Sequence, residues 1–288
     1  MDRATAVTVT LAAAFIWGSS FPAIKMGLFF IDPLTFSQLR LLLAAVLLLP
    51  FLIKYRSPLS LLLCPSTWLL AAFNTAGFLL QNLGMNLTTA SKASLLVNMH
   101  VVFVAVLSYL ILKEEITKLK VAAVALSILG VFLLTTRGNI ESLLLGDVLG
   151  DLLVLGAGAS WGFFFILVKR ALCEQGCSPI DLNFAVIIST AVFLLPAPLL
   201  AQPMKLAVNI ASITILFYTA VPCTILAFIL WMKGLEVLPA TTSAILLLVE
   251  ILVAILLSVM FLGDTFTSIE ALGGALLIAA IALTSFSS

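Results

Sequence analysis

Charge is what this chain has least of. Only 9% of its 288 residues are Asp, Glu, Lys or Arg, against about 25% in a soluble domain, which excludes a chain surrounded by water on every side. Histidine occurs once, at His100. The four cysteines, Cys64, Cys173, Cys177 and Cys223, fit neither a CxxC spacing nor a paired disulfide framework. No metal or other cofactor is expected. A phosphate loop of the GxxxxGK type is missing, so the chain has no visible engine for ATP-driven work. HExxH, GxSxG and clustered acidic residues are missing as well, which weighs against an enzyme embedded in a membrane. The net charge of +1 presents no basic tract to nucleic acid.

What is abundant is hydrocarbon: 63% of the residues are hydrophobic, and the mean hydropathy is +1.28. A bilayer crossing takes roughly 20 mainly apolar residues. Ten such runs are present, at 6–29, 34–53, 67–86, 90–112, 118–136, 147–168, 180–200, 211–232, 239–261 and 267–286. Hydrocarbon supplies no hydrogen bonds, so each run is expected to be a helix, and the fold class to be an all-α integral membrane protein of ten transmembrane helices. The first run continues past Trp17 to Phe30, longer than the roughly 7–15 apolar residues of a signal peptide. Basic residues outside the runs divide unevenly. Arg3, Lys54, Arg56, Lys113, Lys118, Lys120, Lys169, Arg170 and Lys233 fall on the side of the N-terminus, and Lys92, Arg137 and Lys205 on the other. By the positive-inside rule both termini are cytoplasmic, and a multi-pass protein of the cell membrane is expected.

The runs repeat. Trp17, Gly18, Phe21 and Lys25 recur at an offset of 144 as Trp161, Gly162, Phe165 and Lys169. Further along, Gly84, Ala90, Leu96, Leu107, Ser108 and Glu114 recur at an offset of 150 as Gly234, Ala240, Leu246, Leu257, Ser258 and Asp264. Two copies of five spans follow, 1–142 and 143–288. An odd number of crossings per copy makes the second enter from the opposite side. Inverted repeats are the usual architecture of secondary transporters, with the substrate near the midplane between the copies.

Two titratable residues share a repeat position, His100 mid-way along the fourth run and Glu250 mid-way along the ninth. A charge at the centre of a bilayer helix costs about 2.5–3.5 kcal/mol on insertion scales. Such groups tend to face a cavity or a partner, so coupling to protons and a structural His–Glu hydrogen bond both stand open. Asn74, Phe78 and Gln81 lie on one face of the third run, and their counterparts Thr224, Phe228 and Trp231 on one face of the eighth. With Trp17 and Phe21 of the first run and Trp161 and Phe165 of the sixth, they form an apolar wall with a few placed polar groups, the composition of a small-molecule site. Aromatic packing or interfacial anchoring is the plainer reading of the same residues. Lys25 and Arg40 sit toward run ends, where drawing an anionic group into the pathway and snorkelling to the headgroups both stand open; snorkelling is the expected role of Lys25, and pairing with helix-end carbonyls that of Arg40. Glu114, Glu115 and Asp264 fall at run ends and are expected to be solvated. Pro22 and Pro222 each fall inside a run and are candidate breaks or hinges. Gly273 and Gly274 are candidates for a homodimer contact.

The motifs resemble the drug/metabolite transporter superfamily, and within it the ten-span EamA-type members. The resemblance rests on Trp17–Phe21 with Ile24 and Lys25, Pro33–Phe36 with Arg40, Leu110–Glu114 with Thr117, and Met260–Asp264 with Thr267. It spans essentially the whole chain. The family's usual prolines, thirteen residues before each span-end acidic residue, are replaced by Val101 and Ile251. Glu250 matches an acidic residue that members often carry just before the second of them. The resemblance implies a secondary transporter or exporter of small amino-acid-like or amphipathic metabolites, working by alternating access, with lipid as its surroundings and protons as a candidate coupling ion. An uncoupled facilitator is the alternative, and an enzyme or a non-transporting scaffold stands behind it.

Overall fold

The computed structural model describes residues 1–54, 57–85, 87–88, 95–115, 117–144, 147–200, 204–262 and 267–286. Arg56, Ala90, Lys92, Gly263 and Asp264, together with the side chains of Phe21, Pro22, Lys25, Lys54, Ser258 and Phe261, lie outside what is described. The helices in chain order are α1 (Arg3–Gly27), α2 (Pro33–Lys54), α3 (Ser57–Leu62), α4 (Pro65–Met85), α5 (His100–Leu107), α6 (Lys118–Thr136) and α7 (Val148–Cys173). They continue as α8 (Pro179–Phe193), α9 (Ala197–Leu200), α10 (Ile210–Ala220), α11 (Ala227–Val237), α12 (Ala240–Leu247), α13 (Val249–Leu262) and α14 (Ser268–Phe286). A wide π-turn, Val221–Leu226, joins α10 to α11, and a second, Ser108–Leu112, ends α5.

Among the described residues seven helical segments are long and apolar enough to cross a membrane: Pro33–Phe51, Leu95–Leu112, Lys118–Thr136, Val148–Cys173, Pro179–Leu199, Ile210–Val237 and Ala240–Leu257. Helices α1, α4 and α14 occupy the remaining expected runs, and α4 is the more polar for carrying Asn74, Gln81 and Asn82. The chain is a multi-pass membrane protein. Large apolar side chains such as Phe15, Leu110, Val121, Leu152, Phe217 and Leu256 are exposed on the outer surface, where lipid accepts them at no hydrophobic cost.

Short polar residues start the helices. The Asp2 carboxylate accepts from the Thr5 amide at 3.1 Å, and the Asp147 carboxylate from Leu149 at 2.8 Å. Asn209 and Ser212 form a reciprocal capping box at α10. Each satisfies amides that a helix leaves without partners in its first turn. Arg137 closes α6 in a left-handed conformation, φ 52°, and its guanidinium pairs with Glu270 of α14 at 2.9 Å.

Helix α1 packs on α11 and α13, and α7 packs on α4 and α5; α6 pairs with α14, and α2 with α8. Glycines allow the closest crossings. A β-carbon on Gly84 would come 2.8 Å from the Gly150 carbonyl oxygen and against Val154, and one on Gly234 would come 2.9 Å from the Ala6 carbonyl oxygen and against Thr10. In the same way Gly18 meets Val253, and Gly162 meets Phe103, each at 2.7 Å. Gly273, a candidate for a homodimer contact, packs inside the chain against the Gly130 carbonyl of α6 at 2.8 Å. Gly274 faces Leu252.

Both ends of the bundle are tied. At the face where α1 ends, Ile31 and Leu206 form an antiparallel bridge. There the Asp32 amide donates to the Lys205 carbonyl at 2.9 Å and the Ala207 amide to the Phe30 carbonyl at 2.8 Å. At the face where α1 begins, the Lys169 ammonium donates to the carbonyls of Leu235 and Leu238 at 2.7 and 2.9 Å. Beside it the Ala240 amide donates to the Glu114 carboxylate at 2.8 Å. Glu114, expected to be solvated, instead caps α12, because the first amides of that helix need an acceptor.

Candidate functional site

The π-turn between α10 and α11 is the hub of the bundle's interior. Pro222 lies in its first turn and brings no amide hydrogen to the helix ladder, and the turn re-registers the backbone around it. Oxygens on three successive residues of the turn then hold three other helices. The Trp17 indole of α1 donates to the Cys223 carbonyl at 2.8 Å. The Arg40 guanidinium of α2 donates through Nε to Thr224 Oγ1 at 2.7 Å and through Nη2 to the same Cys223 carbonyl at 3.4 Å. The Asn183 amide of α8 donates to the Ile225 carbonyl at 3.2 Å. Thr224 completes the arrangement by donating to the Thr219 carbonyl at 2.8 Å.

Aromatic rings fill the space beside this hub. Trp17 meets Phe228 edge-on at 5.2 Å between centroids, and Phe165 meets Trp231 at 4.8 Å. Phe164, which the helical-face pattern did not single out, stands 5.9 Å from Trp231 and 6.3 Å from Phe228. Across the bundle Phe78 meets Trp161 edge-on at 5.7 Å, and the Arg40 guanidinium lies over the Phe78 ring, 5.7 Å from its centre. Trp231 and Phe165 are 2% and 4% exposed: these rings are packed against one another and close this part of the interior, while Trp17, Phe78 and Trp161 keep partial exposure.

The expected polar residues take different places. Asn74 is buried, its amide nitrogen 3.2 Å from Thr190 Oγ1 of α8, with its own oxygen unpartnered. Gln81, two turns further along α4, is partly buried. His100 opens α5, where Gly158 of α7 packs on the backbone of Leu96 and Val97. Glu250 lies in the first turn of α13, where Gly18 of α1 packs against its carbonyl. Among the described residues no hydrogen bond or ion pair joins His100 to Glu250, so the two titratable groups stand on separate seams. The Phe21 side chain lies outside the described residues.

Arg40 departs most from expectation. It is 7% exposed, and it reaches the middle of the α10–α11 rod rather than a helix end. Sequence position concealed this. A guanidinium seven residues into a run can snorkel outward or reach inward, and the acceptors that decide it sit 183 and 184 residues away.

Grooves open on the bundle's surface among the described residues, two of them between long helices. The larger, about 740 Å³, runs between α2, α8 and the α10–α11 rod, with Leu48, Phe184, Val221 and Ile225 in its walls and Asp181 at one end. The other, about 430 Å³, is wholly apolar and lies between α6 and the segment before α5.

Comparison with known proteins agrees with this arrangement. The model of the EamA-like transporter family matches residues 4–136 and 148–286. An uncharacterized transporter of Archaeoglobus fulgidus is 29% identical over 93% of this chain and 93% of its own length. A "probable amino-acid metabolite efflux pump" of Salmonella typhimurium is 28% identical over 96% of this chain and 94% of its own. A solved crystal structure with 15% identity matches 99% of this chain and 97% of its own, with a TM-score of 0.84, a likeness of fold. With the family's model matching nearly all of both halves, the chain belongs to the EamA-like transporter family.

Proposed function

We propose that the protein is a secondary transporter of small amino-acid-like or amphipathic metabolites, built as two inverted five-span copies, 1–142 and 143–288, and working by alternating access. One observation carries the reading: the contacts of one copy recur in the other at the sequence offsets. Trp17 on Phe228 has its counterpart in Trp161 on Phe78. Gly234 against Ala6 and Thr10 has its counterpart in Gly84 against Gly150 and Val154, and Gly18 against Val253 in Gly162 against Phe103. Each pair crosses between copies, so a rocking of one copy against the other would work these seams together. The name of the Salmonella relative supports the amino-acid-like class.

On this reading Trp17, Phe21, Asn74, Phe78, Gln81, Trp161, Phe165, Thr224, Phe228 and Trp231 face the substrate once the interior opens. His100 and Glu250 join them and serve coupling. A titratable side chain inside a membrane bundle with no ion-pair partner is the usual equipment for proton linkage. The protein resides in the cell membrane with both termini in the cytoplasm. Reconstituted vesicles loaded with a mixture of labelled amino acids test the proposal. Flux driven by an imposed pH gradient is expected in the native protein. Glu250→Gln keeps the shape and removes the titration, and is expected to abolish gradient-driven flux while exchange persists. Gradient-driven flux that survives in Glu250→Gln would refute the coupling role and leave an uncoupled facilitator; no flux of any solute would refute transport.

A further inference from the structure

Arg40 is a permanent cation sealed inside the bundle, and every partner it has among the described residues is neutral. Thr224 Oγ1 at 2.7 Å, the Cys223 carbonyl at 3.4 Å and the Phe78 ring at 5.7 Å surround it. No described carboxylate comes within ion-pair distance. A buried charge is costly to keep without a counter-charge, and a purely structural strut to a hydroxyl and a carbonyl needs no permanent charge. The guanidinium fork matches a carboxylate in two parallel hydrogen bonds, and a single cation suits a singly charged anion. Beside it stand the Phe78 ring and the Trp17 indole, which shares the Cys223 carbonyl with it, and Trp161 packs on Phe78; these rings suit an apolar or aromatic body.

Resting on the transport reading and naming its ligand chemistry, we propose that Arg40 is the receptor for the carboxylate of the transported solute. The substrate is then an organic monocarboxylate with an apolar or aromatic body. Binding exchanges the neutral oxygens of Thr224 and Cys223 for a charged partner. This frees the α10–α11 turn from α2, so the substrate itself loosens the hub that closes the interior.

The test uses the purified full-length protein in detergent, with tryptophan fluorescence and thermal unfolding as readouts. The probes are L-phenylalanine and 3-phenylpropanoate, each beside its amide, L-phenylalaninamide and 3-phenylpropanamide. The acids are expected to bind saturably and at least about tenfold more tightly than the amides of the same body. Arg40→Gln should erase that preference. Arg40→Lys, which keeps the charge but not the fork, should weaken acid binding about threefold and leave a reduced preference. Equal binding of acid and amide by the native protein, no binding of either acid, or an acid preference that persists in Arg40→Gln would overturn the proposal. The acid–amide comparison on the native protein stands whether or not Arg40→Gln folds. Acid-selective binding without flux into vesicles would remove the transport reading and leave the receptor. Equal flux of acids and amides would do the reverse.

Discussion

Single atoms decide several of the contacts that hold this bundle. The space at Gly234 is already occupied by the Thr10 hydroxyl and the Ala6 carbonyl, and Thr10 is itself bonded to that carbonyl at 2.8 Å. Gly234→Ala is therefore expected to destabilise by about 1–3 kcal/mol, the usual range for overpacking a close contact. Thr10→Ala in the same protein should recover part of the loss, because it removes the atom that collides; thermal unfolding of the two single variants and the double variant measures it. The glycine itself was legible in the repeat, but its reason was not, since the carbonyl it admits belongs to a residue 228 positions earlier. Glu114 was misread as a solvated end-of-span carboxylate for a related reason. The amide that claims it, Ala240, belongs to another helix, and hydropathy carries no information about which helix end lies beside which.

Among the elements, the two internal prolines show how one signal gives two structures. Pro22 and Pro222 read alike in the sequence, yet α1 runs unbroken through Pro22, while the backbone at Pro222 widens into a π-turn. The difference lies in what surrounds each one. Around the second, donors from Trp17, Arg40 and Asn183 take up carbonyl and hydroxyl oxygens of the re-registered turn, and those donors come from three other helices. The ends of elements are set by equally distant partners. Lys169 of α7 holds the carbonyls of Leu235 and Leu238 just where α11 stops. Lys169→Met should leave both without their charged donor. Amide hydrogen exchange across 234–241 is expected to quicken by roughly tenfold or more, as suits loss of a charged hydrogen bond of about 1.5–3 kcal/mol. Unchanged exchange there would mean that the loop is held by the Glu114 cap alone.

At the scale of the whole molecule, hydropathy located the seven described segments that are long and apolar enough to cross a membrane to within a few residues, because membrane helices are set by length and composition. The packing of those helices into a closed interior needed coordinates. Orientation is open to a simple check with the native cysteines. Cys173 is exposed and Cys64 and Cys177 are partly so, all at the expected cytoplasmic face, while Cys223 is buried. A membrane-impermeant maleimide should leave intact cells unlabelled and should label inverted vesicles, first at Cys173. Burial, then the neighbouring Cys64 thiol and the Asp181 carboxylate, push the Cys177 thiol above its usual range. Cys177 should therefore lag at neutral pH and gain ground as the pH rises, since the thiolate is the reacting form. Labelling of intact cells would invert the topology. The π-turn has one more consequence. On the proposed alternating-access reading, two identical inverted copies would make the inward- and outward-facing states equivalent by a two-fold rotation and equal in energy, each occupied half the time. The turn at Val221–Leu226 has no equivalent at the matching place of the first proposed copy, where α4 runs unbroken from Pro65 to Met85. That asymmetry lifts the degeneracy. Each 1.4 kcal/mol of difference it creates tilts the resting population tenfold toward one side of the membrane, so a local departure from symmetry gives an otherwise ambidextrous machine its idle position.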